Sequence, residues 1–105
     1  MPNPVYLVVR TIVADPAHRQ DFDHWYATEH FPEALAGFGA ISGFRAWSHT
    51  DPTVHYAFYR FPDHETARGA SGGDAIKGLI EEFDRCWGSK TSRTREVIEL
   101  AQEAG

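Results

Sequence analysis

Cysteine is nearly absent. Cys86 stands alone among 105 residues, so neither an internal disulfide nor a multi-cysteine metal site can form. Positive charge is scarce: 10 Lys and Arg face 15 Asp and Glu, a net charge of −5. General binding to nucleic acid or to an anionic membrane needs a basic surface, so neither is expected as a partner. No apolar run approaches the ~20 residues that cross a bilayer. The opening Met1-Pro2-Asn3-Pro4 lacks the basic start of a signal peptide, and the apolar residues 5–9 are too few for its hydrophobic region. These absences predict a cytoplasmic protein, with residues 1–105 as a single domain.

Aromatic side chains are what the chain has in surplus: 3 Trp, 4 Tyr and 7 Phe, with 6 His besides. At ~150–250 Å² buried per ring, the Trp, Tyr and Phe side chains account for about 2,000–3,500 Å². That ring surface must pack a core, line a pocket or face a partner.

Residues 5–14 alternate Val5, Leu7, Val9 and Val13 against Tyr6, Val8, Ile12 and Ala14. Both sides are apolar, which predicts a strand covered on both faces. Asp15-Pro16 is an N-cap followed by proline at the first helical position. The spacing of Phe22, Trp25, Tyr26, Glu29, His30 and Glu33 predicts a helix over residues 16–36, ended or kinked near Phe31 by Pro32. Residues 40–49 and 54–61 read as a hairpin about the turn Thr50-Asp51-Pro52-Thr53. A second helix spans residues 62–70, breaks at Ser71-Gly72-Gly73-Asp74 and resumes over 75–87 with Ile76, Leu79, Ile80, Phe83 and Trp87 as its apolar stripe. Residues 91–100, with little besides Val97 and Ile98 to bury, read as an edge strand.

The order βαββαβ is the split-βαβ pattern of a ferredoxin-like α+β domain, an antiparallel four-stranded sheet with two helices on one face. The other face would be polar in a lone domain. Here the strands carry large apolar residues on both sides, so a second copy is expected to cover it as a homodimer.

The most distinctive stretch is Phe22-Asp23-His24-Trp25-Tyr26-Ala27-Thr28-Glu29-His30-Phe31-Pro32. On a helix Phe22, Tyr26 and His30 stack four apart, with Trp25 and Glu29 in the adjacent row. Such spacing sets ionisable groups against rings, where they must be hydrogen-bonded or neutral. A half-buried histidine there can give or take a proton; equally, it can brace the helix end, with Glu29 paired to a strand arginine.

This stretch resembles the F-x-x-W-Y-x-x-E-H-x-P motif of the EthD-like group of dimeric α/β-barrel proteins, at Phe22, Trp25, Tyr26, Glu29, His30 and Pro32. Ile41-Ser42-Gly43-Phe44-Arg45 and Glu82-Phe83-Asp84-Arg85-Cys86-Trp87 add to the likeness. The resemblance implies a dimeric α/β barrel with a pocket between helices and sheet. It implies action on a small hydrophobic or aromatic oxygenated molecule, of monooxygenase, isomerase or lyase type. In that reading His30 is the proton donor or acceptor and Glu29 its orienting partner. Trp25, Tyr26, Arg45, Trp47 and Tyr59 bind the substrate. The alternative is a non-catalytic dimeric binder of a small ligand or of haem.

Arg10, Arg45 and Arg60 lie in strands, with His49, His55 and Tyr59 nearby in sequence; those that share a face with the motif helix would grip a carboxylate or enolate, or else the arginines pair with acidic neighbours. His24 and His30 are six apart, and no H-x-x-x-H spacing occurs, so no metal site is expected. No cofactor is predicted; were haem bound, His30 or His64 would be its ligand. The glycine-rich break at residues 69–73 is a hinge or lid, and Cys86 a packing residue.

Overall fold

The computed structural model describes residues 3–105, and the side chains of all of these but 71 and 75. Met1 and Pro2, which begin the segment read above for a signal peptide, lie outside the described residues. The elements are β1 (Val5–Ile12), a 3₁₀ turn (Pro16–His18), α1 (Arg19–Trp25), a π turn (Tyr26–His30) and α2 (Phe31–Phe38). Then come β2 (Ser42–Trp47), β3 (Val54–Phe61), α3 (His64–Ser71), α4 (Asp74–Trp87) and β4 (Ser92–Glu99). The sheet is antiparallel in the order β2-β3-β1-β4, which leaves β4 at an edge.

Register assigns the faces. Leu7 is opposite Tyr59 and Val97, Val9 opposite Ala57 and Arg95, and Thr11 opposite His55 and Arg93. Arg45 and Trp47 of β2 join this face against Ala57 and His55. The helices pack here, and the core is Leu7, Val9, Phe22, Tyr26, Tyr59, Phe61, Phe83 and their neighbours. Tyr6, Val8, Arg10, Phe44, Tyr56, Phe58, Arg60 and Ile98 occupy the opposite face by the two-residue period.

The first helical region departs from the expectation at Pro32. It neither stops nor breaks there, but runs over residues 16–38 by changing its pitch. Asp15 caps the start, its carboxylate accepting from the Ala17 N–H at 2.9 Å. At the π turn the Phe31 N–H donates to the Tyr26 carbonyl, five residues back. Pro32 then falls in the first turn of the next α-helical segment, where the wider turn before it makes room for the proline ring and its fixed φ suits the helix. The helix ends at Gly39, left-handed at φ 66°, a conformation that glycine adopts without steric cost. The layer over the sheet thus holds three helical units, the first continuous and the second and third divided near Gly72 and Gly73. Asp63 caps α3 through the Thr66 N–H at 2.8 Å.

Candidate functional site

The π turn decides which side chains face the sheet. Five residues on, an α-helix has turned by roughly 140° from its starting direction; the wider π turn brings positions i and i+5 into one row. Trp25 and His30 accordingly stack, ring centroids 5.0 Å apart and planes within 20°. Glu29 is turned outward and exposed, which corrects its expected place in the row beside Trp25. Its charge reaches Glu33 instead, whose carboxyl is held above the usual range chiefly by Glu82 and more weakly by Glu29.

His30 is buried, 7% exposed, inside a cage of Trp25, Tyr26 and Phe83, the last two at 4.8 and 5.5 Å between centroids. Its Nδ1 is buried without a hydrogen-bond partner among the described residues. Burial pushes its pKa down to about 4, assisted by the positive charge of Arg93 and Arg95. His30 is therefore neutral at pH 7.

Beside it the hydroxyls of Tyr26 and Tyr59 meet at 3.3 Å, both residues 1% exposed. Burial raises both phenol pKa values. One hydroxyl must donate to the other, so the pair retains one proton for a further acceptor.

These groups share a cavity of about 10 Å³ between helices and sheet, the room of about one water. His30, Tyr26 and Tyr59 form one side; Ile76, Leu79 and Ile80 of α4 with Phe38 form an apolar wall; Arg93 and Arg95 of β4 close the remaining side. The two arginines were not among the residues expected here, since the alternating Arg93-Thr94-Arg95 reads as an ordinary exposed edge strand. His64, the other candidate ligand for haem, is exposed at the start of α3 and does not line this cavity. Among the described residues, no three His, Cys, Asp or Glu side chains gather as a metal-binding group.

Arg45 and Trp47 belong to an adjoining polar cluster. Both guanidinium nitrogens of Arg45 donate to Asp23 Oδ1 at 3.0 Å, and the Trp47 indole donates to the same oxygen at 2.8 Å. Arg45 Nη1 also donates to His55 Nε2 at 3.2 Å, which leaves the imidazole proton on Nδ1. His55 is fully buried and its pKa is lowered to about 3, first by burial and then by Arg45. The cluster adjoins the cavity through Tyr26, whose ring lies 4.6 Å from His55 and 5.5 Å from the Arg45 guanidinium. Asp23 was missed as a member; His55 was expected only as a neighbour of the strand arginines. Asp23 reads as a solvated helix position, and only its three donors from β2 mark it otherwise. Arg10 and Arg60 are on the opposite sheet face, away from the motif helix.

The four strands, their order and the helical layer define a ferredoxin-like α+β fold. No protein-family model matches the sequence, and no curated protein matches it. Among solved structures, the chain is similar to an ethyl tert-butyl ether d (EthD) family protein from Bacillus halodurans. The TM-score is 0.73 at 20% identity, over 92% of this chain and 98% of that one. It is similar also to SnoaB of Streptomyces nogalater, described as a cofactor-independent oxygenase, with a TM-score of 0.71, 13% identity and 96% of each chain covered. A putative antibiotic biosynthesis monooxygenase from Bordetella bronchiseptica aligns with a TM-score of 0.72 at 12% identity, over 95% of this chain and 99% of that one. The ferredoxin-like architecture read from the order of elements is thus the fold of this chain.

Proposed function

We propose that this protein is an enzyme acting on a small, largely apolar molecule that carries a carbonyl or phenol oxygen, by proton transfer in the helix–sheet cavity. The observation that carries the reading is one shared wall: a buried neutral imidazole, His30, beside the Tyr26–Tyr59 hydroxyl pair. His30 takes a proton from the carbon α to the carbonyl, or from a phenol O–H; in the ketone the C–H electron pair becomes the C=C bond as the C=O π pair moves onto oxygen; the free tyrosine proton hydrogen-bonds the resulting oxyanion. The forming anion also raises the basicity of His30, because it offsets the nearby arginines. Isomerisation, elimination and cofactor-independent oxygenation all can begin with this deprotonation, and SnoaB, of the same fold, is a cofactor-independent oxygenase. No resident cofactor enters the step. The α4 wall with Phe38 holds the apolar part, and Trp25 backs the His30 ring. Glu29, exposed, has no part in orienting His30.

The working unit in this reading is a cytoplasmic homodimer whose two copies cover each other's aromatic sheet face. The other reading, a binder without turnover, draws on the low basicity of His30 at rest. Solvent-deuterium incorporation into a panel of enolisable ketones and phenols separates the two. An enzyme labels a panel member catalytically, and His30→Ala lowers that rate roughly 10²–10⁴-fold. Undiminished labelling by His30→Ala removes the histidine from the reaction, and binding of a panel member with no labelling favours the binder.

A further inference from the structure

We propose that the cavity is an anion site: Arg93 and Arg95 on the inner face of β4 hold the carboxylate or enolate oxygen of an aromatic ligand at the cavity's β4 side. The inference rests on the reading of the helix–sheet cavity as the ligand site, and adds the charge of what enters it.

Charge distribution is the first argument. The chain carries −5 overall, yet two arginines line one small cavity whose other ionisable members, His30, Tyr26 and Tyr59, are neutral at pH 7. Arg93 has one acidic partner, Asp84, at 3.3 Å, and that carboxylate is 61% exposed and faces water. Arg95 makes no ion pair among the described residues. Two like charges side by side repel unless an anion joins them. Arg93 bears the mark of this: its pKa is lowered by burial and by Arg95.

Geometry is the second. Arg93 is fixed, its guanidinium stacked 3.8 Å from the centre of the Phe83 ring. Arg95 is exposed on an edge strand. One arginine is thus pre-positioned, and the other, exposed, is the lining residue that moves as a ligand enters a space that now fits one water. Opposite them the Tyr26–Tyr59 pair has a hydroxyl proton to donate. Two cations, a phenol proton and an apolar wall of Ile76, Leu79 and Ile80 together suit an aromatic or alicyclic acid with its oxyanion toward β4.

Benzoate and its uncharged isostere benzamide are the probes, followed by NMR at the Arg93 and Arg95 side-chain N–H signals and the His30 ring. Benzoate is expected to shift all three saturably and benzamide to bind at least tenfold more weakly, since a hydrogen bond to a charged group carries roughly tenfold or more in affinity. Benzoate also raises the His30 titration midpoint. Arg95→Gln, at an exposed position with no fold at risk, weakens benzoate about tenfold or more and leaves benzamide unchanged. Arg68→Gln, exposed on α3, changes neither. Equal affinities for the two probes overturn the anion site, as does an Arg68→Gln loss matching that of Arg95→Gln. Benzoate binding as stated, with no deuterium labelling of any ketone or phenol, upholds the anion site and defeats the enzymatic reading instead. Labelling that survives Arg95→Gln, with no benzoate binding, does the reverse.

Discussion

At the scale of single residues, the buried polar groups carry both the chemistry and its cost. Tyr26 and Tyr59 satisfy each other across 33 residues of sequence. Tyr59→Phe therefore leaves a buried hydroxyl unpaired and is expected to lower unfolding free energy by about 1–3 kcal/mol, read from urea denaturation. His30 and His55 tie stability to pH. Unfolded, each binds a proton below about pH 6.5; folded, they resist protonation to about 4 and about 3. Below pH 6.5 the unfolded chain holds more protons, so the stability present at neutral pH is lost as pH falls toward those folded values. Urea midpoints should be flat above pH 7 and drop steadily between pH 6.5 and 4. His55→Gln keeps an acceptor for Arg45 and should reduce that slope by about one proton. A slope unchanged in the variant would mean that His55 does not carry it. His30 was legible in the sequence because large rings surround it at helical spacing. Asp23 was not, since its partnership with Arg45 and Trp47 depends on β2 lying beneath α1, a long-range fact that no local pattern encodes.

At the scale of elements, the strands were read more faithfully than the first helix. Residues 54–61 are so rich in aromatic and apolar side chains, between the turn at 50–53 and Pro62, that the expected and observed bounds of β3 coincide. The other strands kept their places but lost one or two residues at their ends. The helix hid its π turn because hydrophobic spacing is judged against a period of 3.6, and one extra residue per turn moves Glu29 out and sets His30 against Trp25 without changing composition. Pro32 was the local sign of it: a proline amid a helical pattern needs either a break or a register change. Close packing of this helix on β2 constrains Gly43. A methyl group there would lie 2.8 Å from the Phe58 carbonyl and 3.0 Å from a Leu35 methyl. Backbone cannot yield as a side-chain tip does, so Gly43→Ala is expected to cost about 1–3 kcal/mol. The check is its thermal midpoint; a midpoint equal to that of the parent protein would show that β2 shifts freely beneath the helix.

At the scale of the whole molecule, the shape is that of a slab. Its extents are 45 × 35 × 20 Å and its radius of gyration is 14.0 Å, against about 13 Å for a compact chain of this length. The accessible surface is 6519 Å², above the roughly 6,000 Å² expected for its mass. One helical layer on one sheet gives that thinness and leaves the far sheet face uncovered. There Phe44 stacks on Phe58 at 4.5 Å while remaining 51% exposed, Tyr6 packs edge-on to both, and Ile98 is 39% exposed. The surplus of rings in the sequence therefore divides in two, a set that cages His30 and a set that faces outward. An aromatic patch of this kind favours a second apolar surface over water, and a second copy of the same face is the simplest complement under two-fold symmetry. Phe44→Asp should separate the copies at little cost to the fold, because the side chain is half exposed in the single chain and a charge there repels its symmetry mate across the seam. Sedimentation at micromolar concentration is expected to give twice the 11.8 kDa chain mass for the parent protein and one chain mass for the variant. Urea midpoints should become independent of protein concentration in the variant alone, since only an assembly is stabilised by mass action. A parent protein that sediments as one chain would refute the homodimer and leave the outward rings without a partner of their own kind.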